Sequence, residues 1–178
     1  MKGTSDHGLF LPADNLATYH TFIDADWRRD LDTRKSTSSI LHKIGDSCIF
    51  WSSKLQPTVS LSSTKAEYRV LTHATKDIIY FRRLLTELGI IISEPTLLLT
   101  DNKSSIKLAH NPVMHTWTKH IEIQNHFIRE ALQDKIVSVA HVPTQNQQAD
   151  FLTKPLQYSK FIENKHNACI ISSSVTRT

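Results

Sequence analysis

Four acidic residues stand where a solvated surface role does not account for them. Asp24 ends a β-rich run, and Asp101 directly follows an apolar run. Glu67 lies on the apolar stripe of a helical pattern, and Asp150 lies between two apolar residues. Carboxylates that cluster repel each other unless cations are present. Because Mg²⁺ prefers oxygen ligands, and two ions about 4 Å apart can activate a water and stabilise a leaving oxygen, the acids indicate a magnesium site for phosphodiester hydrolysis.

Three of these acids also have a structural interpretation that the spacing leaves open. Glu67 completes Thr64-Lys65-Ala66-Glu67, the pattern of a helix capping box. Asp101 could cap the helix that follows it, where the helix dipole favours an acid. Asp24 could be an ordinary strand-end acid. The residues alone therefore do not decide between a metal cluster and separate structural roles.

The elements that must position the acids follow from the hydropathy pattern. The pattern predicts strands at 17–24, 39–44, 47–53, 97–99 and 136–142, and helices at 103–109, 121–134 and 147–154. A further long helix, ending near Gly89, is predicted by an apolar stripe at helical spacing: Glu67, Leu71, Ala74, Ile78, Phe81 and Leu85. Gly45-Asp46 predicts a hairpin turn. This order indicates an α/β domain with a mixed sheet, at one edge of which Asp24 and Asp101 would meet.

Composition and charge set broad limits on function. The chain has 178 residues, enough for one domain with a sizeable core. No apolar run approaches the ~20 residues of a bilayer span, and the N-terminus has no signal-peptide core, so we expect an intracellular protein, cytoplasmic or nuclear. The net charge of +4 tilts toward a polyanionic partner.

Histidines and cysteines suggest little further chemistry. Four histidines fall within one stretch and raise the alternative of a zinc site: His110, His115, His120 and His126. Their spacing matches no common zinc motif, and no cysteine lies nearby. Cys48 and Cys169 are far apart in the sequence and are expected to be reduced packing thiols.

Five blocks resemble, in the family's order, the signature blocks of the ribonuclease H domain of copia-type LTR retrotransposon Pol polyproteins. They read DADWRRDLDTRKSTSS, WSSKLQPTVSLSSTKAEYRVL, TDNKSSIKLAHNP, TKHIEIQNHFIRE and HVPTQNQQADFLTKPL. The lead-in KGTSDHGLFL resembles the end of the reverse-transcriptase connection. The resemblance implies a lead-in at 1–16, a ribonuclease H domain at 17–157 and a C-terminal tail at 158–178. The implied fold is ribonuclease H-like, a five-stranded mixed sheet flanked by helices.

The resemblance also implies an activity and a site. Asp24, Glu67, Asp101 and Asp150 would be catalytic and would hold two Mg²⁺ ions, with Mn²⁺ as a substitute and Asp24 shared by both ions. The reaction would be hydrolysis of the RNA strand of an RNA–DNA hybrid, beside the reverse transcriptase of the parent polyprotein and with no membrane partner. Strand choice would rest on 2′-hydroxyl contacts, and backbone phosphates would meet basic side chains. The expected nucleic-acid-binding residues are Ser63, Thr64, Lys103, Lys54, Arg28, Arg34 and Lys35.

Departures from the family pattern leave other functions open. Lys65, Ser39 and Lys103 stand where family members usually carry glutamate, glycine and glutamine. The serine predicts strain if its φ is positive, and the lysines bring positive charge toward the carboxylates. His141 lies near the place of a product-release histidine of many cellular ribonucleases H, but at a predicted strand end. The alternatives are a truncated, inactive remnant that at most binds nucleic acid, a transposase- or integrase-like enzyme of the same fold, and a structural tail for a polymerase.

Overall fold

Five strands form one mixed sheet in the computed structural model of the protein, which describes residues 6–12, 18–111 and 119–172, with side chains of the last range described from residue 123. The strands of this sheet are β2 (Tyr19–Asp26), β3 (Thr37–Ile44), β4 (Ser47–Leu55), β5 (Thr96–Thr100) and β6 (Val137–His141), and a short β1 (His7–Leu9) precedes them. Their spatial order is β4-β3-β2-β5-β6. The β4-β3-β2 part is antiparallel and the β2-β5-β6 part is parallel. The predicted five-stranded mixed sheet is therefore confirmed.

The hairpin between β3 and β4 turns at Gly45, as predicted. Its φ of 53° lies in the left-handed region, which glycine adopts without a Cβ clash. The Gly45 amide donates to the Thr18 carbonyl at 2.7 Å, which fastens the turn to the start of β2. Both hairpin strands extend two residues beyond the prediction, because Thr37 and Leu55 at their ends continue the ladder as partners of each other.

Among the residues that the structure describes, four helices and two short 3-10 helices cover the sheet. They are α1 (Ser63–Glu87), α2 (Lys103–His110), α3 (Lys119–Gln133), the 3-10 helices Thr144–Asn146 and Gln148–Leu152, and α4 (Tyr158–Asn167). Successive residues of a strand point to opposite faces. Ile23 and Ile40 accordingly pack with the buried stripe of α1, whereas Phe22 and Leu41 pack with Ala149 on the other face. Both faces of the sheet are covered, as an α/β domain requires.

The long helix α1 follows its predicted pattern. Its stripe residues are buried except for the partly buried Phe81, which packs against the same core. Gly89 has φ of 80°, and the amide of Ile90 donates to the Leu85 carbonyl at 2.8 Å, which closes the C-terminus. Since α1 begins at Ser63, Glu67 lies in its second turn and not in the first.

The C-terminal third differs from the prediction. The expected helix at 147–154 is instead the 3-10 helix Gln148–Leu152, because the buried side chain of Gln147 donates to the Ile23 carbonyl at 2.9 Å and accepts from the Ala149 amide at 3.2 Å. The helix α4 and the strand β7 (Ile170–Ser172) were not predicted. β7 pairs antiparallel with β1, a non-local contact that gives part of the tail a structural role. The domain boundaries at 16 and 157 stay predictions.

None of the helices in the described ranges is both long enough and apolar enough to cross a bilayer.

Candidate active site

Three carboxylates meet at the carboxyl edge of the parallel strands. β2 and β5 are neighbours in parallel register, with Phe22 opposite Leu99, so Asp24 and Asp101 leave the sheet at the same edge. α1 crosses this end of the sheet and adds Glu67. One oxygen from each of Asp24, Glu67 and Asp101 lies within 4.8 Å of the others. Asp24 and Asp101 therefore meet at one sheet edge, as the predicted strand order indicates, and Glu67 joins them there.

Glu67 is held by β2 and β5 and does not cap its helix. Ser62 is the N-cap of α1, and its side chain accepts from the Lys65 amide at 3.2 Å. One oxygen of Glu67 instead accepts from the Ala25 amide at 3.0 Å, and the other accepts from the Thr100 hydroxyl at 3.4 Å. The capping-box interpretation is therefore wrong, and the carboxylate is aimed at the sheet edge.

Asp101 is likewise free of the capping role that the sequence left open. Asn102 is the N-cap of α2, and its side chain accepts from the amides of Ser104 and Ser105 at 3.0 and 3.1 Å. Asp101 accepts a hydrogen bond of 2.9 Å from the hydroxyl of Thr144, in the first 3-10 helix. The position before the cap leaves its carboxylate directed to the cluster.

Asp150 approaches the cluster from the opposite side of the sheet edge. It lies in the 3-10 helix Gln148–Leu152, 4% exposed, and forms an ion pair of 2.9 Å with Lys154. The hydroxyl of Thr153, the residue before Lys154, donates a hydrogen bond to Asp24. Asp150 is not one of the three acids within 4.8 Å of each other, but its charge acts on Asp24.

Ser39 anchors this 3-10 helix and is not strained. It lies within β3 in extended backbone, and its buried hydroxyl donates to the Ala149 carbonyl at 3.0 Å. Strain was expected only for a positive φ at this position, and Ser39 does not have one. The hydroxyl adds a contact that fixes the residue next to Asp150.

The protonation equilibria of the acids reflect burial and mutual repulsion. Burial raises the pKa of Asp24 to about 6; the charges of Asp150 and Asp101 add to this, while the Thr153 bond and Lys154 oppose it. Burial, together with the charge of Asp24, raises the pKa of Glu67 well above its usual range. Burial also raises the pKa of Asp150.

These shifts mean that the cluster carries its negative charge at a cost that a divalent cation would relieve. The donor set consists of carboxylate oxygens, which suits hard, oxygen-liganded ions such as Mg²⁺ and Mn²⁺. The residues present therefore fit a divalent metal site.

Four residues at the site were missed by sequence reasoning: Thr100, Thr144, Thr153 and Lys154. A signal existed for two of them, since Thr153 and Lys154 stand three and four residues after Asp150, the spacing that places side chains on one side of a helical turn. The charge of Lys154 acts on both Asp24 and Asp150.

The expected nucleic-acid-binding residues flank the same edge. Arg28, Arg34 and the half-buried Lys35 lie in the loop after β2. The exposed Lys54 pairs in register with Ser38, which pairs with Ala25 beside Asp24. Ser63 and Thr64 lie in the first turn of α1, and Lys103 begins α2. Their contact with a ligand stays a prediction.

The histidines show no sign of a metal site within the described side chains. His115 and His120 lie outside the residues whose side chains are described, and His110 and His126 are exposed and belong to no described metal-type cluster. His141 is exposed at the end of β6, where its Cα partner is Thr100. It therefore lies at the same sheet edge as the acid cluster, and its catalytic role stays a prediction.

Sequence comparisons show which known proteins this chain is similar to. No protein-family model matches it. It is 43% identical over 161 residues to the retrovirus-related Pol polyprotein from transposon RE2 of Arabidopsis thaliana, a match covering 90% of this chain and 11% of that protein. It is 39% identical over 140 residues to the retrovirus-related Pol polyprotein from transposon TNT 1-94 of Nicotiana tabacum, covering 79% and 10%. The chain thus spans about a tenth of the length of these relatives.

A solved structure gives the fold of the matched segment. LC11-RNase H1 in complex with an RNA/DNA hybrid superposes with a TM-score of 0.57 at 13% identity, covering 76% of this chain and 94% of that one. This chain is a ribonuclease H-fold segment of the copia-type Pol polyprotein family. The family and the fold that the five blocks predicted are therefore confirmed. In this ribonuclease H fold, the acid cluster occupies the carboxyl ends of the two parallel central strands.

Proposed function

We propose that this ribonuclease H-fold chain hydrolyses the RNA strand of RNA–DNA hybrids during reverse transcription of a retrotransposon inside the cell. The observation that carries the proposal is the convergence of Asp24, Glu67 and Asp101 within 4.8 Å. The relationship to Pol polyproteins supports the biological setting, and the hybrid bound by LC11-RNase H1 supports the substrate class. The reverse transcriptase of the parent polyprotein would be the partner that supplies the hybrid.

The four acids would share two divalent ions, Mg²⁺ or Mn²⁺, with Asp24 contributing to both sites. Glu67 and Asp101 would complete one site and Asp150 the other. Two such ions supply the charge that activates an attacking water and stabilises the leaving oxygen. The chain's own residues orient the ligands: the Ala25 amide holds Glu67, and the hydroxyls of Thr144 and Thr153 hold Asp101 and Asp24.

Recognition of the substrate would depend on its backbone. Side chains around the sheet edge would contact phosphates of both strands, and 2′-hydroxyl contacts would distinguish RNA from DNA. The proposed contacts are Ser63, Thr64, Lys103, Lys54, Arg28, Arg34 and Lys35. Binding through phosphates predicts affinity that falls steeply with salt and depends little on sequence.

The test is cleavage of a hybrid whose RNA strand carries an end label. The purified chain would be incubated with this hybrid and MgCl₂, beside Asp101→Asn, an EDTA control and the matched acid variant Asp134→Asn, which changes an exposed residue after α3. RNA cleavage that Asp101→Asn and EDTA abolish, and that Asp134→Asn retains, is the expected result. Cleavage that persists in Asp101→Asn would refute the assignment of the site.

A second function, hybrid binding without cleavage, is favoured by one observation. The ammonium of Lys154 pairs with Asp150 and already supplies a positive charge to the cluster. In a remnant of this kind, the folded chain would bind the labelled hybrid in the same buffer but release no RNA fragments. Cleavage that depends on Mg²⁺ and on Asp101 excludes this alternative.

A further inference from the structure

A tryptophan that follows the strand of Asp24 is partly exposed to solvent. Trp27 follows β2 directly and lies three residues after Asp24. Its indole nitrogen donates to the Ser60 carbonyl at 2.9 Å, which ties the ring to the loop that precedes α1. The ring nevertheless remains 39% exposed. Since the polar atom of the indole is already satisfied, the exposed part is the apolar ring system, which is suited to pack against a flat or apolar partner.

The next residue places a guanidinium over this ring. The guanidinium carbon of Arg28 lies 4.6 Å from the centroid of Trp27, in cation–π geometry. Within the described part of the chain, the Arg28 side chain has no recorded hydrogen bond or ion pair, whereas its neighbour Arg29 pairs with Asp26 at 2.8 Å. The donors of Arg28 therefore stay available to a ligand, and a planar guanidinium matches two oxygens of a phosphate.

The backbone of Arg28 is held in a conformation that favours glycine. Its φ is 57°, in the left-handed region that a residue with a Cβ adopts at a cost. The amide of Arg28 donates to the hydroxyl of the buried Ser36 at 3.3 Å, which supports this turn. Arg28 therefore combines a supported left-handed turn with an exposed side chain, in the loop that follows the strand of Asp24.

We propose that Trp27 and Arg28 form a phosphodiester-binding shelf for the nucleic-acid strand that enters the acid cluster. The guanidinium binds the oxygens of one phosphate, and the indole packs against the adjoining sugar or base. This contact depends on the backbone of the nucleic acid and not on its base sequence. This inference rests on the proposed function, because it assumes a nucleic-acid substrate.

The test measures binding in Asp101→Asn protein, so that turnover does not interfere. A fluorescein-labelled RNA–DNA hybrid would be titrated with MgCl₂ present at several KCl concentrations, and dissociation constants would be read from anisotropy. Arg28→Gln keeps the side-chain stem and removes the charge. We expect roughly fivefold to tenfold weaker binding and a salt dependence reduced by about one phosphate contact, with an unchanged melting temperature.

Glycine variants separate the side chain from the backbone conformation. Arg28→Gly should raise the melting temperature or leave it unchanged, because it relieves the left-handed backbone, and should weaken binding as Arg28→Gln does. Lys135→Gly is the matched control, since Lys135 has φ of 55° in the turn between α3 and β6. Lys135→Gly should likewise raise the melting temperature or leave it unchanged, and it should leave hybrid binding unchanged.

Tryptophan fluorescence gives an independent measurement. The chain has three tryptophans, so Trp51→Phe with Trp117→Phe leaves Trp27 as the single emitter. Addition of hybrid should quench or shift this emission. Wild-type affinity and salt dependence in Arg28→Gln, or emission of Trp27 that hybrid does not change, would overturn the shelf. Absence of hybrid binding by the Asp101→Asn protein itself would instead count against the proposed function.

Discussion

The ammonium group of Lys154 lies 2.9 Å from a carboxylate oxygen of Asp150, so the acid cluster contains a cation of the chain's own. Burial alone would lower the pKa of Lys154, but the bond to Asp150 and the charges of Asp24 and Asp101 outweigh it and raise that pKa. The lysine is therefore charged at neutral pH and stabilises the carboxylates when no divalent ion is bound. It would also compete with such an ion for the oxygens of Asp150.

Lys154→Met should make the protein more dependent on magnesium. In EDTA the melting temperature should fall, because the carboxylates lose their counter-charge. The dissociation constant for Mg²⁺, measured from the shift of melting temperature with MgCl₂, should tighten about tenfold, which corresponds to about 1.4 kcal/mol. Lys160→Met is the matched control, since Lys160 forms an exposed 2.9 Å ion pair with Glu163 on α4. An equal magnesium response in both variants would rule out competition at the site.

Asp24 should make stability depend on pH in the absence of metal. Its pKa of about 6 lies above the unfolded value near 3.9, so its contribution to stability is complete below about pH 4 and is lost as pH rises through about 6. In EDTA, the free energy of unfolding of the wild type should fall relative to Asp24→Asn by up to about 3 kcal/mol between pH 4 and pH 7. Denaturant unfolding at several pH values measures this difference.

The comparison with Asp24→Asn removes the contribution of titrating groups outside the acid cluster. Burial lowers the pKa of His20 to about 4, and a lowered histidine pKa favours the fold as pH rises, opposite to Asp24. Because His20 is present in both proteins, its contribution cancels in the difference. Parallel stability curves for the two proteins would show that Asp24 does not titrate as its burial requires.

Thr153→Val should shift the pH dependence of cleavage. The Thr153 hydroxyl bond lowers the pKa of Asp24, so its loss should raise that pKa further. The acid limb of the rate profile should move upward by about one pH unit, since hydrogen bonds to charged groups contribute about 1.5–3 kcal/mol. The measurement is the initial rate of hybrid cleavage at pH values from about 5.5 to about 9, which gives the pH–rate profile. Thr144→Val, which acts on Asp101, is the comparison variant. An unmoved acid limb in Thr153→Val would contradict the role of the hydroxyl.

Ser39→Ala should destabilise the protein through the second 3-10 helix. The substitution leaves the Ala149 carbonyl without its buried donor, which should cost about 1–2 kcal/mol of unfolding free energy. Ser53→Ala removes a bond from β4 to the Leu152 carbonyl of the same 3-10 helix, but at an exposed position, and should cost less. Urea midpoints of the two variants measure this difference; equal midpoints would mean that the buried bond stabilises the protein no more than the exposed one.

Much of the fold was predictable because its signals are local. Strand alternation, the α1 stripe and the Gly45 turn depend on residues near one another in sequence, and each is confirmed within one to a few residues. The pairing of β1 with β7 was not predictable, because it joins residues that are far apart in the sequence. The helix α4 was also not predicted. The 3-10 form of Gln148–Leu152 likewise depends on the distant carbonyl of Ile23.

The sequence by itself indicated the family through its five blocks, predicted the mixed sheet through local periodicity, and singled out the four acids as candidates. Only the tertiary structure decided which partners each acid has. Whether Glu67 caps α1 or faces Asp24 depends on where the helix begins and on how it crosses β2 and β5. The position of Lys154 depends on the hydrogen bonds that tie the second 3-10 helix to Ser39 of β3 and its N-cap to Ile23 of β2. A carboxylate's partners are set by strand register and packing between distant segments, and no local pattern encodes that geometry.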